Sequence, residues 1–184
     1  MSEVKLITGG ARSGKSIYAE KSAENCKVLY IATAVAFDDE MEERIRYHQN
    51  TRPESWITWE RYHELADIEK EFDEDSFDTI ILDCVGNLLM GILYEEVPNE
   101  DDFTTGDFEN VVIKAIKEID AICSYAVQRG KSLIFITNEI GMGVVPETRY
   151  ARYFRDALGH LNKRVARLAD SVVLMVSGLP ITLK

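Results

Sequence analysis

Long apolar runs are missing from this 184-residue sequence, and cysteines are few. No uninterrupted apolar run approaches the roughly 18 residues that a membrane-spanning helix needs, and the first residues show no signal-peptide pattern. The three cysteines, Cys26, Cys84 and Cys123, are odd in number and far apart, which excludes a disulfide-stabilised miniprotein. The sequence therefore predicts a cytoplasmic protein without a membrane span, whose thiols are buried and reduced.

Basic residues are also in deficit. The 21 Lys and Arg face 32 Asp and Glu, so the net charge is −11, and a chain this acidic is a poor general binder of nucleic acid or anionic membranes. The excess is local: residues 67–78 hold seven acids and one Lys, and residues 95–109 hold seven acids and no base. We expect these two acidic segments to be surface insertions. The rest of the chain is nearly balanced and retains the capacity to bind a phosphorylated ligand.

The remaining composition is that of a globular protein, 46% hydrophobic and 29% charged, with no internal repeat and no Pro/Gly/Ser linker. One domain over residues 1–184 is expected. Short runs rich in Val, Ile and Leu predict five buried strands at 4–8, 28–33, 79–83, 132–137 and 171–177. Helical patterns begin at Gly14, after Asp38, near Asn110 (ending before Gly130) and at Pro146. This alternation predicts an α/β fold with a mostly parallel sheet flanked by helices.

A phosphate-binding loop follows the first predicted strand. It fits the pattern G-x4-G-K-[ST] and consists of Gly9, Gly10, Ala11, Arg12, Ser13, Gly14, Lys15 and Ser16. Glycines let the backbone curl so that its N–H groups converge on phosphate oxygens, and the helix that follows points its positive end at the anion. Lys15 would reach the terminal phosphates and Ser16 would hold Mg²⁺. This motif, preceded by a strand and followed by a helix, predicts nucleotide binding.

An acidic side chain at the end of a second strand is expected on the magnesium side of such a site. Asp83 ends the predicted strand 79–83, and ligands of parallel sheets bind at the carboxyl ends of strands. Asp83 is therefore our first candidate, and Glu139, which follows the strand at 132–137, is the second.

Residues 38–48 have the pattern of a helix with acids in its first turn, and Met41, Ile45 and His48 share one face. Two interpretations of His48 stay open at this point. Its spacing alone favours a core histidine. Its place after the strand at 28–33 favours a nucleophile, because a neutral imidazole can attack phosphorus and form a phosphoramidate. Three arginines that would stabilise phosphate charge lie in the same region: Arg44, Arg46 and Arg52.

A larger set of motifs surrounds the phosphate loop. It includes residues 32–34 with 38–41, Arg44 with His48, Arg52-Pro53 with Trp56, residues 82–84, the Asn-Glu-Ile-Gly-Met-Gly block at 138–143, residues 152–156 and residues 177–180. In this order and spacing, over nearly the whole chain, the sequence resembles the bifunctional adenosylcobinamide kinase / adenosylcobinamide-phosphate guanylyltransferase family of cobalamin biosynthesis.

The resemblance implies two reactions on small-molecule substrates. ATP or GTP phosphorylates the hydroxyl of adenosylcobinamide, and GTP then transfers its GMP moiety to adenosylcobinamide phosphate, which yields adenosylcobinamide-GDP and pyrophosphate. It also implies a GMP–histidine intermediate on His48, a recombinase-type phosphate-loop fold and a homotrimer. The nucleotide site that it implies comprises residues 9–16 with Thr33, Ala34, Val35, Gln49, Asn50, Thr51, Arg52, Glu60 and Asp83, with Lys15 catalytic and Mg²⁺ on Ser16 and Asp83.

Two departures from the family pattern stand out. Some members have two adjacent histidines, whereas Tyr47 precedes His48 here, and residues 34–37 contain no polar side chain.

Two other functions use the same loop. One is a simple kinase or NTPase in which His48 is structural, and the other is a nucleotide-sensing module without turnover. The bond that breaks distinguishes them: α–β cleavage indicates guanylyl transfer, and β–γ cleavage alone indicates a kinase.

Overall fold

A seven-stranded sheet forms the centre of the computed structural model, which describes residues 2–36, 39–97 and 103–184. Its strands are β1 (Val4–Gly9), β2 (Val28–Ala32), β3 (Ile57–Glu60), β4 (Thr79–Asp83), β5 (Ser132–Ile136), β6 (Ser171–Val176) and β7 (Leu179–Thr182). The spatial order is β3-β2-β4-β5-β1-β6-β7. Neighbouring strands run parallel, except that β7 returns antiparallel to β6.

Within the described ranges, six α-helices connect the strands. They are α1 (Lys15–Ser22), α2 (Asp39–Thr51), α3 (Ile68–Glu71), α4 (Val85–Glu96), α5 (Thr105–Gln128) and α6 (Arg149–Leu168). Two single 3₁₀ turns, Leu65–Asp67 and Glu74–Ser76, flank α3. Across the described ranges, none of the helices combines the length and the apolarity that crossing a bilayer requires.

Both faces of the central strands are buried, which explains their continuous apolar sequences. Successive side chains alternate between two hydrophobic clusters, as in the pair Leu6 and Ile7 of β1 and the pair Ile80 and Ile81 of β4. Helices α4, α5 and α6 cover one cluster, and α1 contributes to the other. The predicted mostly parallel sheet flanked by helices is confirmed. Strand β5 separates β1 from β4, in keeping with the recombinase-type sheet implied by the resemblance.

The five predicted strands are all present, but two helices begin elsewhere. Helix α5 starts at Thr105 rather than near Asn110, because Thr104 and Asp107 form a capping box in which each side chain accepts from the other residue's backbone N–H. Helix α6 starts at Arg149 rather than Pro146, because the Thr148 hydroxyl accepts from the N–H of Ala151 at 3.2 Å. At the other end of α5, Gly130 takes a left-handed conformation, as expected for a residue that ends a helix.

The acidic segments are more than surface insertions. Apolar residues among their acids belong to the core: Ile68, Phe77, Phe103 and Phe108 are each at most 7% exposed. The acids themselves are exposed or half-buried wherever the structure describes them. Each segment thus places charge in water and anchors aromatic or aliphatic side chains beneath it, while residues 98–102 lie outside the described ranges.

Candidate active site

The phosphate loop joins β1 to α1 and depends on two glycines. Gly9 has φ +149°, and a Cβ at this position would lie 2.5 Å from the carbonyl oxygen of Met175. Gly14 has φ +94°, a conformation that residues with a side chain rarely adopt. The N–H of Ser13 donates to the carbonyl of Gly10 at 3.3 Å. The predicted loop is therefore present as a tight turn that leads into a helix, which is the arrangement that cradles phosphate.

Lys15 folds back over this loop. Its ammonium donates to the carbonyl oxygens of Gly9 at 3.1 Å and Gly10 at 2.7 Å, and the residue is only 8% exposed. Burial lowers the pKa of Lys15, while Cys84 and the carboxylate of Asp83 oppose that shift. A cation held inside the loop in this way is positioned to exchange a carbonyl partner for a phosphate oxygen.

The carboxylate of Asp83 meets the phosphate loop at the end of β4. Its Oδ2 atom accepts a hydrogen bond from the Ser16 hydroxyl at 3.3 Å, so the structure brings the two predicted magnesium-side residues together. A hydroxyl and a carboxylate are hard oxygen ligands, and proteins hold Mg²⁺ with one or two such groups plus phosphate oxygens and waters. This donor set fits Mg²⁺.

Tyr30 of β2 is a site residue that the sequence analysis missed. Its hydroxyl donates a short hydrogen bond to the same oxygen of Asp83. The residue is 3% exposed, and burial together with the neighbouring Asp83 raises the pKa of the phenol well above its usual range. Tyr30 therefore remains a hydrogen-bond donor to Asp83 throughout the ordinary pH range.

Arg52 covers the ring of Tyr30. The guanidinium carbon lies 4.0 Å from the ring centroid, a cation–π contact, and Trp56 stacks on the same ring with centroids 6.0 Å apart. Two nitrogen atoms of Arg52, Nε and Nη1, are buried and have no hydrogen-bond partner among the described residues. A guanidinium with two buried, unused donors is suited to bind an anion such as phosphate.

A cleft of about 990 Å³ opens above these residues, within the size range of small-molecule sites. The phosphate loop forms one wall, α2 forms another, and the ends of β2, β4 and β5 form the floor. The lining residues that were predicted as site residues are Ala11, Arg12, Lys15, Ser16, Ala34, Arg52, Glu60 and Asp83. Gln49 reaches this set indirectly, because its side-chain amide donates to Glu60.

Thr33 does not face this cleft, contrary to the expectation from the resemblance. It is fully buried, and its hydroxyl both accepts from the N–H of Cys84 and donates to the carbonyl of Cys84, each at 2.7 Å. The side chain therefore ties the ends of β2 and β4 together beneath the cleft. Val35 is half-buried and is not among the residues that line the cleft.

The Asn-Glu-Ile-Gly-Met-Gly block continues from β5 along the other side of the phosphate loop. The N–H of Glu139 donates to the carbonyl of Gly9 at 3.0 Å, and the Glu139 carboxylate accepts from the N–H of Gly141 at 2.6 Å. Glu139 lines a second cavity of about 380 Å³, whereas Ser16 and Asp83 line the cleft. Of the two acids considered for the magnesium side, only Asp83 is thus brought to Ser16.

Comparison with known proteins accounts for this combination of motifs. The family model described as cobinamide kinase / cobinamide phosphate guanyltransferase matches residues 5–183. The chain belongs to this family. The segment that matches the cobinamide kinase / guanyltransferase family includes the phosphate loop, α2, Asp83 and the Asn-Glu-Ile-Gly-Met-Gly block.

Curated relatives in this family align over nearly their full length. The bifunctional adenosylcobalamin biosynthesis protein CobU of Escherichia coli K12 is 38% identical over 184 residues, which covers 97% of this chain and 98% of that protein. The protein of the same name from Salmonella typhimurium is 39% identical, and the alignment again covers 97% of this chain and 98% of that protein. CobP of Pseudomonas aeruginosa is 34% identical over 97% of this chain and 96% of that protein.

Similar solved structures are more distant. The P4 proteins of bacteriophages phi6, in complex with ADP, and phi13 are each 14% identical, with TM-scores of 0.47 and 0.48. The alignment covers 98% of this chain but only 54% and 53% of those chains, so this chain spans about half their length.

The histidine that the family resemblance singles out lies in α2. This helix borders the cleft through Met41 and Ile45, and the backbone of His48 continues the same helix. The side chains of His48, Asn50 and Thr51 lie outside the described part of the structure. The choice between a nucleophilic and a structural His48 therefore stays a prediction.

Proposed function

We propose that this chain carries out both reactions named by its family: phosphorylation of adenosylcobinamide by ATP or GTP, and transfer of GMP from GTP to the resulting phosphate. The observation that carries the proposal is the family match over residues 5–183. The convergence of Lys15, Ser16 and Asp83 on one cleft supports it, because both reactions handle a nucleoside triphosphate.

In the kinase step, the acceptor hydroxyl attacks the γ-phosphorus and loses its proton, the bond from the γ-phosphorus to the bridging oxygen breaks, and the nucleoside diphosphate leaves with the electron pair. The backbone N–H groups of the phosphate loop and the ammonium of Lys15 would bind the phosphate oxygens as negative charge moves to the leaving group. Mg²⁺ held by the Ser16 hydroxyl and the Asp83 carboxylate would neutralise phosphate charge. Tyr30 would keep the carboxylate oriented through its hydrogen bond to Oδ2.

In the guanylyl step, a ring nitrogen of His48 attacks the α-phosphorus of GTP. A P–N bond forms, the bond to the bridging oxygen breaks, and pyrophosphate leaves with the electron pair while the imidazole loses its proton. The phosphate oxygen of adenosylcobinamide phosphate then attacks the same phosphorus and displaces His48, which yields adenosylcobinamide-GDP. The position of α2 along the cleft supports this role.

The remaining predicted residues would complete the nucleotide site. Glu60 offers a carboxylate to the N1–H and N2 amine of guanine, donors that adenine lacks at those positions, and Gln49 orients it. The unused guanidinium donors of Arg52 would bind phosphate. The other proposed contacts are Gly9, Gly10, Ala11, Arg12, Ser13, Gly14, Ala34, Val35, Asn50 and Thr51, with Thr33 acting from beneath the cleft.

We further propose that the chain assembles as a homotrimer in the cytoplasm. Support for self-association comes from exposed apolar side chains outside both cavities: Val144 is 94% exposed, Val145 is 60% and Leu179 is 69%. Exposure of large apolar side chains to water is unfavourable and typical of surfaces that bind another protein. Sedimentation equilibrium of the purified chain would test the trimer directly.

Labelling with GTP tests the function. We expect Mg²⁺ and GTP labelled at the α-phosphate to leave label on the denatured protein through an acid-labile, alkali-stable bond, and γ-labelled GTP to leave none. His48→Ala should abolish the labelling, whereas His160→Ala, which changes an exposed histidine of α6, should keep it. Absence of label in a wild-type protein that still phosphorylates adenosylcobinamide would leave a kinase with a structural His48, and GTP binding without any turnover would indicate a sensing module.

A further inference from the structure

The phosphate loop lies between two cavities, and the function proposed above uses only one of them. Ala11 and Arg12 border both spaces. The cleft of about 990 Å³ lies on the side of α2. The second cavity, of about 380 Å³, lies on the side of β6 and the turn that follows it, and we call it the β6 cavity.

The β6 cavity has the chemistry of a site for a flat base. Apolar side chains of Met142, Leu174 and Val176 line it together with the polar groups of Arg12, Glu139 and Ser177. Met142 is 80% exposed and Val176 is 45% exposed, so both have apolar surface available for a ligand. Mainly apolar walls with a few polar groups are typical of ligand sites in this size range, which begins near 300 Å³.

Hydrogen bonds fix both walls of the β6 cavity to the phosphate loop. On one side, the N–H of Gly178 donates to the carbonyl of Ser13 at 3.0 Å. On the other side, the N–H of Glu139 donates to the carbonyl of Gly9, also at 3.0 Å. A nucleoside in this cavity would therefore have a defined position relative to the phosphates that the loop holds.

The two proposed reactions need different phosphates in the cleft. Guanylyl transfer requires the α-phosphate to face α2, which borders the cleft through Met41 and Ile45. Phosphoryl transfer requires the γ-phosphate to face the acceptor near Lys15, Ser16 and Asp83 in the same cleft. A triphosphate is a linear chain with the nucleoside at its α-end, so a single placement cannot present both ends to the cleft equally well.

We propose that the chain binds nucleoside triphosphates in two opposite orientations across one phosphate loop. In the kinase step the purine nucleoside occupies the β6 cavity, and the γ-phosphate points into the cleft, which is then free for the acceptor hydroxyl. In the guanylyl step the nucleoside occupies the cleft near Glu60, and the α-phosphate faces α2. This inference rests on the proposed function, since it requires that the chain perform both reactions.

Substitutions that fill each space separately test the two orientations. Val176→Trp and Met142→Trp place an indole in the β6 cavity from two different walls. Each should raise the KM of the nucleotide for phosphorylation of adenosylcobinamide by about tenfold or more, the equivalent of one lost base contact. Neither should change the GTP concentration that gives half-maximal self-labelling from α-labelled GTP. That labelling also reports whether each variant is folded.

Two further variants complete the design. Glu60→Gln, in the cleft, should raise the GTP concentration required for self-labelling by a larger factor than it raises the nucleotide KM of the kinase step. Val127→Trp is the matched control, because Val127 is 59% exposed on α5 and lines neither cavity. It should change neither reaction.

The outcomes separate this inference from the proposed function. Two orientations are supported if the β6-cavity variants affect mainly the nucleotide KM of the kinase step and Glu60→Gln affects mainly self-labelling. Equal effects of Val176→Trp and Met142→Trp on both reactions would indicate a single orientation and overturn the inference, as would the absence of any effect on the kinase KM. A wild-type chain that performs only one reaction overturns the proposed function as well, and this result is visible before any variant is made.

Discussion

The phenol of Tyr30 and the carboxylate of Asp83 are joined by a short hydrogen bond across the β2–β4 pair. The Ser16 hydroxyl donates to the same carboxylate oxygen at 3.3 Å, so one oxygen of Asp83 receives donors from two different elements. A hydrogen bond to a charged group contributes about 1.5–3 kcal/mol. Tyr30 is therefore a positioning residue for the acid that would bind Mg²⁺.

Tyr30→Phe should weaken the binding of Mg²⁺ more than the binding of nucleotide. Without the phenol, Asp83 loses one of the donors that orient it, and loss of such a supporting group typically costs about tenfold or more in metal affinity or activity. We expect the Mg²⁺ concentration for half-maximal phosphoryl transfer to rise about tenfold, with little change in nucleotide binding in the absence of metal. Tyr125→Phe, a buried tyrosine of α5, is the control, and an unchanged Mg²⁺ requirement in Tyr30→Phe would contradict the assignment.

The same contact predicts a pH dependence of stability. Burial and Asp83 raise the pKa of Tyr30 in the folded chain, so the folded state holds the phenolic proton more tightly than the unfolded state does. The stabilisation is fully present below the phenol pKa of the unfolded chain, about 10, and is lost as the pH rises toward the folded-state value. Denaturant unfolding of wild type and Tyr30→Phe at pH 8 and pH 11 should show the difference in unfolding free energy shrinking at the higher pH. A difference that grows would contradict this sign.

Two glycine substitutions should change stability in opposite directions. Gly9→Ala forces a Cβ to within 2.5 Å of the Met175 carbonyl at φ +149°, so we expect a loss of at least about 1–3 kcal/mol and loss of both reactions. Gly159 lies within α6, and its Cβ would meet nothing within 4 Å. Gly159→Ala should therefore add about 0.5–1 kcal/mol through helix propensity. Thermal unfolding of both variants measures this contrast, and equal shifts would count against it.

Asn162 of α6 connects the core to the Asn-Glu-Ile-Gly-Met-Gly block. Its side-chain oxygen accepts from the Thr137 hydroxyl at 2.7 Å, and its amide donates to the carbonyl of Asn138 at 3.1 Å. Asn162→Leu leaves these groups unpaired, which should cost about 1–3 kcal/mol in unfolding free energy and raise the KM for nucleotide. The control is Lys163→Leu at the neighbouring position of α6. If Asn162→Leu unfolds like wild type, the hydrogen bonds do not stabilise the block.

The parts of the fold that were predictable are those with a local signal. The five central strands are continuous aliphatic runs because helices cover both of their faces. Strands β3 and β7 have no such run: β3 alternates between buried and exposed residues, and β7 is exposed along its whole length and contains Pro180. Helix α4 was missed for the opposite reason, since most of its residues from Val85 to Leu93 are buried and no polar face marks a helical period.

The same distinction holds in the site. Lys15, Ser16 and Asp83 were identified because a motif and a strand end mark them in the sequence. No sequence motif marks Tyr30. Ala32 pairs with Asp83 in the β2–β4 register, and Tyr30 lies two residues before Ala32 on the same strand, so the contact with Asp83 follows from strand pairing. Thr33 was expected in the cleft from the family resemblance. Its hydroxyl instead accepts from the N–H of Cys84 and donates to the carbonyl of Cys84.

The order of the strands has a consequence for synthesis of the chain. β1 is made first, yet its two partners in the sheet are β5 and β6, which end at Ile136 and Val176. During synthesis, the strand that carries the nucleotide loop therefore cannot pair on either side until β5, which ends at Ile136, has emerged from the ribosome. Binding of nucleotide cannot guide early folding of this chain. It can stabilise the chain only after β1 has joined the sheet and the loop has taken its shape.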